Sequence, residues 1–266
     1  ADAVGANAVL GSIFGFGEAT DAGVTEQFIS ETESVYAFIP ATLKTVIVNR
    51  AGGYGAFSNI ASLQNLTVRD GGALGKNLIV GCTGLVSLEL PFAGAGADAE
   101  GAESSLMYLT GEPLTNLNNI KLTSVTKLTT SAFPAGFNLK SIEISGDIAS
   151  IPEGVFANCK ALESVVLPFV GESASASGRE GLLGYLFGFT DQSASGAVRQ
   201  YFEAGNYFYS EIPASLVSVT VTGDSVVSDG AFSGMANLRT FRALGKVSIG
   251  DRAFIECPSL QLIDIG

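Results

Sequence analysis

The sequence predicts a solenoid, a stack of about nine coils of 22–23 residues with a parallel sheet along one face and short helical or irregular segments opposite. Three observations predict it. The phrase Leu-x-x-apolar-x-apolar recurs nine times, starting at Leu43, Leu63, Leu85, Leu117, Leu139, Leu162, Leu216, Leu238 and Leu260. Its successive spacings are 20, 22, 32, 22, 23, 54, 22 and 22 residues, one short period interrupted by extra chain. A second apolar position keeps register with it, because six residues before the Leu stand Phe57, Ile79, Phe133, Phe156, Phe232 and Phe254.

Each part of the unit has a physical reading. The phrase ends in period-two alternation, which suits a short strand with alternate side chains on one face. The Phe lies beyond the reach of that strand, so the chain must return through a turn or short helical segment to bring its ring beneath the Leu. Five residues earlier again, Leu74, Leu128, Ile151, Val227 and Ile249 supply a further aliphatic side chain. One such coil buries little by itself, and stacking makes the core continuous. Cys82, Cys159 and Cys257 each fall three residues after the Phe position, where other coils carry Ile60, Gly136 and Met235. They occupy a small apolar slot on non-adjacent coils, out of disulfide reach of one another, and are expected to be free buried thiols.

A longer period overlies the short one. Leu-Gly-Ser-Ile-Phe-Gly at 10–15, Leu-Met-Tyr-Leu-Thr-Gly at 106–111 and Leu-Gly-Tyr-Leu-Phe-Gly at 183–188 each precede a strand phrase introduced by Pro40, Pro113 or Pro213. The chain therefore reads as one solenoid over 1–266 with an acidic N-terminal segment (1–42), a short insertion (91–116) and a long aromatic-rich insertion (168–212).

Phrases such as Ile151-Pro-Glu-Gly-Val-Phe156-Ala-Asn-Cys159-Lys-Ala-Leu162 and Ile249-Gly-Asp-Arg-Ala-Phe254-Ile-Glu-Cys257-Pro-Ser-Leu260 resemble the BspA-like leucine-rich repeats of bacterial cell-surface proteins. The resemblance covers nearly all of 43–266 outside the insertions. It implies a right-handed leucine-rich repeat solenoid, secretion or attachment to the cell surface, and adhesion or recognition in place of catalysis.

Charge and composition narrow the partners. The net charge of −12 is concentrated in the insertions: 1–42 carries six acidic residues and no basic one, 91–116 four and none, and 168–212 five against Arg179 and Arg199. Acidic insertions repel phosphate backbones, and the repeats carry no basic stripe, so nucleic acid is excluded as an expected partner. No run of 18 or more apolar residues is present, so membrane insertion is not expected either. Residues 3–17 are apolar but lack a basic leader, and the last phrase runs to Gly266 without a polar capping coil. A signal and an anchor are therefore expected outside this stretch of a longer extracellular or cell-surface protein. The acidic loops read either as solubilising cover for an apolar solenoid or as a site for a cation or a basic protein patch.

The chain has no histidine, no Cys-x-x-Cys, no P-loop and no Gly-x-Ser-x-Gly. Ser-His catalysis and the commonest metal ligand go with the histidines, so no enzyme activity, catalytic residue, metal or cofactor is expected. The strongest candidate surface is the third insertion, where Tyr185, Phe187, Phe189, Tyr201, Phe202, Tyr207, Phe208 and Tyr209 stand among glycines and serines. Tyrosine beside small flexible residues gives broad amphipathic contact at low entropy cost. The competing reading buries the same rings as a satellite core. A weaker candidate is the outward strand row Thr45, Asn65, Ser87, Asn119, Ser141, Ser164, Ser218 and Thr240, to which a glycan could hydrogen-bond, although small polar residues also simply suit exposed strand positions. The expected function is non-catalytic adhesion to an extracellular protein or glycan of a host or neighbouring cell; the alternative is a structural spacer displaying other domains.

Overall fold

A computed structural model describes residues 4–203 and 205–266, and its contacts fall into two compact units. The first comprises the residues up to Ser124 together with Pro134–Asn138; the second comprises Val125–Phe133 and Leu139–Gly266. All nine Leu phrases form strands. Both units are leucine-rich repeat solenoids.

In the first unit a small antiparallel sheet comes first, made of β1 (Phe16–Gly17), β2 (Thr25–Phe28) and β3 (Ser34–Ala37) in the order β1-β3-β2. Four parallel strands follow: β4 (Thr45–Val48), β5 (Asn65–Val68), β6 (Ser87–Leu90) and β7 (Asn119–Leu122), with a five-residue helix α1 (Leu106–Thr110) before β7. Register follows the sequence phrase, with Thr45 opposite Asn65, and Ser87 opposite Asn65 and Asn119. Leu63, Leu85 and Leu117 are fully buried, as are Leu66 and Leu88 on the inward strand positions.

The second unit repeats the plan. Its parallel strands are β8 (Ser141–Ile144) and β9 (Ser164–Leu167), then, beyond the long insertion, β13 (Ser218–Val221), β15 (Thr240–Ala243) and β17 (Leu262–Ile265). The insertion holds α2 (Leu183–Phe187) and an antiparallel sheet of β10 (Phe189–Thr190), β11 (Val198–Glu203) and β12 (Asn206–Ser210) in the order β10-β12-β11. A second parallel pair, β14 (Ser225–Val227) and β16 (Val247–Ile249), joins the earlier aliphatic positions of two coils. The Phe rungs stack as the spacing requires: Phe156 lies between Phe133 and Phe187 at ring-centroid distances of 5.6 and 5.8 Å, and Phe232 stacks flat on Phe254 at 5.1 Å. Phe133, Phe156 and Phe232 are fully buried, whereas β17 is an edge strand and its four residues are exposed.

The three coils with no large apolar residue six positions before the Leu, those of Leu43, Leu117 and Leu216, are completed in a way the spacing does not reveal. Their rung is supplied by the Leu-rich phrases placed in the expected insertions. In the first unit Leu10 N–H donates to Ala56 O (2.8 Å), Phe57 N–H to Leu78 O (2.9 Å) and Ile79 N–H to Leu109 O (2.9 Å). In the second, Phe156 N–H donates to Leu186 O (2.8 Å), Leu183 N–H to Ala231 O (2.9 Å) and Phe232 N–H to Ala253 O (2.8 Å). Residues 10–13, 106–110 and 183–187 are thus the return segments of ordinary coils. What is extra in the first and third cases is the antiparallel hairpin that follows.

The thiols sit where the register puts them. Cys82 and Cys159 are buried and Cys257 half-buried, all three free. The Cys82 Sγ–H donates to Phe57 O (2.9 Å) and the Cys257 Sγ–H to Phe232 O (3.1 Å), the Phe of the preceding coil in each case.

A hairpin module built twice and a tyrosine–arginine face

The two hairpin modules share one frame. Leu10, Gly11, Phe14, Gly15, Phe16, Gln27, Tyr36, Ile39, Pro40 and Leu43 recur, at one constant spacing and without a gap, as Leu183, Gly184, Phe187, Gly188, Phe189, Gln200, Tyr209, Ile212, Pro213 and Leu216. The centre of the frame is a buried glutamine. Gly11 N–H donates to Gln27 Oε1 (2.6 Å), and Gln27 Nε2 donates to Ala56 O (3.3 Å). In the second module Gly184 N–H donates to Gln200 Oε1 (2.7 Å), and Gln200 Nε2 donates to Ala231 O (2.9 Å). Both glutamines are fully buried, so each ties its hairpin to the return segment before it and to the coil after it.

The remaining frame residues make that approach possible. Gly184 has no room for a side chain, since a Cβ there would collide with Gln200 Oε1 and Ser210 Oγ; a Cβ on Gly11 would meet Gln27 Oε1 and Ala37. Ser58 Oγ accepts from Phe28 N–H (2.8 Å) and Ser233 Oγ from Tyr201 N–H (2.6 Å), a second tie from the hairpin to the following coil. Sequence reasoning missed these serines and glutamines. The signal that could have found them is the gapless alignment of the shared frame residues of the two modules, whose separation far exceeds a repeat-length window.

With the frame fixed, alternation along β11 and β12 divides the eight aromatic candidates. Tyr185 and Phe187 lie in α2 and are buried, at 7% and 3% exposure, so they belong to the coil core and offer a partner nothing. Burial raises the Tyr185 hydroxyl above its ordinary pKa. Phe189, Phe202 and Phe208 cluster on the face carrying Gln200 and Ser210, with Phe208 centred 5.0 Å from Phe189 and 4.8 Å from Phe202. The Arg179 guanidinium caps this cluster 4.4 Å over Phe189 and binds Glu153 through Nη2 at 2.8 and 2.9 Å.

The opposite face carries Arg199, Tyr201, Tyr207 and Tyr209, with Arg199 opposite Tyr209 and Tyr201 opposite Tyr207. Tyr207 is 44% exposed, and Tyr201 and Tyr209 are half-buried. Arg199 lies 4.6 Å over the Tyr207 ring and pairs with Glu256 (3.1 Å), while Arg252 lies 5.0 Å over the Tyr201 ring. Beside this face an open groove of about 330 Å³ runs between the start of β11, the Ile212-Pro213-Ala214 turn and the Met235–Leu238 segment. The first module has the corresponding groove, about 250 Å³, between Val24, Ile39-Pro40-Ala41 and Ile60.

The strand row is in register in both units, and its members bond to one another: Asn65 Nδ2 donates to Thr45 Oγ1 (3.3 Å) and Ser164 Oγ–H to Ser141 Oγ (3.1 Å). The neighbouring outward positions include Glu89, Lys121, Arg242 and Asp264, with an Arg242–Asp264 contact of 3.9 Å. No aromatic ring stands at these outward positions of either row.

The acidic insertions are tied to coil lysines. Lys76 donates to Glu31 and holds that carboxyl below its ordinary pKa, and Lys160 pairs with Glu211. No group of three or more Cys, Asp or Glu side chains is gathered as a possible metal set among the described residues, and no described helix is long and apolar enough to cross a membrane.

The profile of the BspA type leucine-rich repeat region matches six copies, over residues 112–175 and 203–266. No curated protein and no solved structure gives a match.

Proposed function

We propose that this chain, whose residues 112–175 and 203–266 match the BspA type leucine-rich repeat region, is a non-catalytic recognition protein of the extracellular or cell-surface space, and that the hairpin of its third insertion is the recognition element. Repeat solenoids offer extended surfaces to partners, insertions between their coils often fall on the binding face, and function is argued from the particular site. The observation that carries the reading is the face of Tyr201, Tyr207, Tyr209, Arg199 and Arg252. Tyr and Arg are the residues that dominate binding hot spots. They stand on a rigid support, because the buried Gln200 and Ser233 seat β11 on the solenoid. Preorganised contact residues spend less ordering entropy on binding.

The strand row is the weaker surface. Its hydroxyls and amides are partly satisfied by one another, and it has no ring against which a sugar could stack. A spacer that only displays other domains would need no exposed tyrosine–arginine face.

The test is a binding screen of the full chain on immobilised extracellular matrix proteins and glycans, repeated with Tyr207→Ser and Tyr209→Ser combined. Loss of at least tenfold in affinity for whatever is retained supports the hairpin. Unchanged affinity transfers the site to the row from Thr45 to Thr240, and no retained ligand favours the spacer.

A further inference from the structure

The two modules provide a comparison inside one chain: the frame is kept and the rim is changed. At the position of Arg199 the first module has Glu26, at Tyr201 it has Phe28, and at Tyr207 it has Ser34. The Glu26 carboxylate is occupied by the hydroxyls of Ser34 (2.7 Å) and Tyr36 (3.4 Å). The same exchange occurs on the coil beyond each hairpin, where Asn77 and Gly81 of the first unit correspond to Arg252 and Glu256 of the second. All four have positive φ, 55° and 72° in the first pair and 55° and 58° in the second. Asn and Gly tolerate that conformation, whereas Arg and Glu adopt it at a cost in strain. Strain of this kind persists where the surroundings hold the side chain for a purpose. Here it sets the guanidinium of Arg252 over Tyr201 and the carboxylate of Glu256 onto Arg199.

Two recesses share the Arg199–Glu256 pair as a common wall. One is the groove of about 330 Å³, whose lining is aliphatic: Val198, Ile212, Pro213, Leu216, Met235 and Leu238. The other is a nook of about 40 Å³ between Tyr201, Tyr207, Ser233, Arg252 and Ile255. Arg199 is neutralised by Glu256, while Arg252 is exposed and no carboxylate lies within ion-pair distance of it among the described residues. The two recesses together carry a net positive charge on a chain of net charge −12.

We infer that this double recess binds an extended acidic peptide segment, an aliphatic side chain of the segment filling the groove and a neighbouring carboxylate meeting Arg252 and the tyrosine hydroxyls. The inference rests on the recognition reading above and names its ligand. An aliphatic groove receives Leu, Ile or Val, and a guanidinium beside it selects a carboxylate. Sugars are the poorer fit, because one face of each of Tyr201 and Tyr207 is already covered by an arginine and the groove has no ring in its wall. The first module, with Glu26 at its rim, is not a site for the same segment.

The experiment measures fluorescence anisotropy of labelled octapeptides on the full chain. One peptide carries Asp and Glu around a central Leu, a second has Lys for every acid, a third has Ser for the Leu, and an oligouronate serves as a non-peptide anion. The acidic Leu peptide is expected to bind at least tenfold more tightly than each of the others, more weakly as salt rises. Arg252→Gly should weaken it at least fivefold; glycine suits φ 55°, so this variant keeps or raises its thermal transition. Ala236→Phe, an exposed groove residue enlarged into the groove, should abolish binding while the fold stays intact. Equal or tighter binding of the Lys peptide, binding of the oligouronate without the peptide, no peptide binding at all, or indifference to Arg252→Gly would each overturn the inference. Recognition by the hairpin would itself fail only if Tyr207→Ser with Tyr209→Ser also left every ligand of the broader screen bound as before.

Discussion

Replacing Gln200 tests whether the hairpin is seated by one buried side chain. In Gln200→Leu the side-chain volume is nearly kept and two hydrogen bonds are lost. Ala231 O loses little, because Leu183 N–H still donates to it at 2.9 Å. The Gly184 N–H is left buried without its acceptor, and an orphaned buried donor costs about 1–3 kcal/mol. Gln200→Glu separates this from packing. A carboxylate still accepts from Gly184 N–H but faces Ala231 O, where the amide had donated. Burial and that carbonyl favour the protonated acid, so the folded pKa is raised above the unfolded value of about 4.3. A raised acid pKa means stability that is present below the unfolded pKa and lost as pH rises toward the folded one, at about 1.4 kcal/mol per pH unit. Between pH 5 and pH 7 the variant should lose roughly 2.5 kcal/mol relative to wild type. The chain has no histidine, so no side chain with an ordinary pKa in that window blurs the comparison. Solenoids open locally, so the readout is hydrogen exchange at the Gly184 amide alongside urea melts. A loss of about 2 kcal/mol appears as exchange roughly 30-fold faster. If Gln200→Leu melts within about 0.5 kcal/mol of wild type and Gly184 exchanges at the wild-type rate, or if the Gln200→Glu deficit is flat with pH, the glutamine does not hold the hairpin.

Three further outcomes are expected. Phe156→Ala removes a fully buried ring between Phe133 and Phe187 and should cost about 3–5 kcal/mol in a denaturant melt, whereas Lys160→Ala, which loses only a half-exposed ion pair with Glu211, should cost under about 1 kcal/mol. Ser210→Ala should stabilise by about 1 kcal/mol, because Ser210 Oγ is buried without a hydrogen-bond partner among the described residues and the first module carries Ala37 at the same place; a destabilised variant would reveal a bond to that hydroxyl. All three cysteines should titrate as free thiols after denaturation. In the folded chain Cys257 should be alkylated first at pH 8, since burial pushes Cys82 and Cys159 up to about 12 but Cys257 only to about 11; equal rates would contradict the packing of the last coil.

The solenoid was legible because its signal is local and repeated. A Leu, two inward strand residues and a Phe six residues earlier lie within one coil, so each copy reports the same packing, and Phe57, Phe156 and Phe232 are all buried where the spacing put them. The coils of Leu43 and Leu216 were harder to read because a hairpin detaches their return segments from their strands, and the coil of Leu117 because extra chain precedes its return segment, which is one residue out of step with the Phe position. A hairpin separates Leu183 from Leu216, and a window matched to 22 residues sees the Leu-Gly-Tyr-Leu-Phe-Gly phrase as part of an insertion. The consequence reaches the candidate surface. Aromatic composition alone groups Tyr185 and Phe187 with Tyr207, yet the first two belong to a helix turned into the core and the third to a strand face turned outward. Replacing the whole of 168–212 by a short loop would therefore remove Leu182 through Phe187, every one of them buried, and with them a rung of the solenoid. A deletion that isolates recognition must spare that segment and act on the hairpin face alone. Substitutions at Tyr207 and Arg252 do this, because they change the rim that differs between the modules and leave Gln200, Gly184 and Ser233, the frame that both modules share.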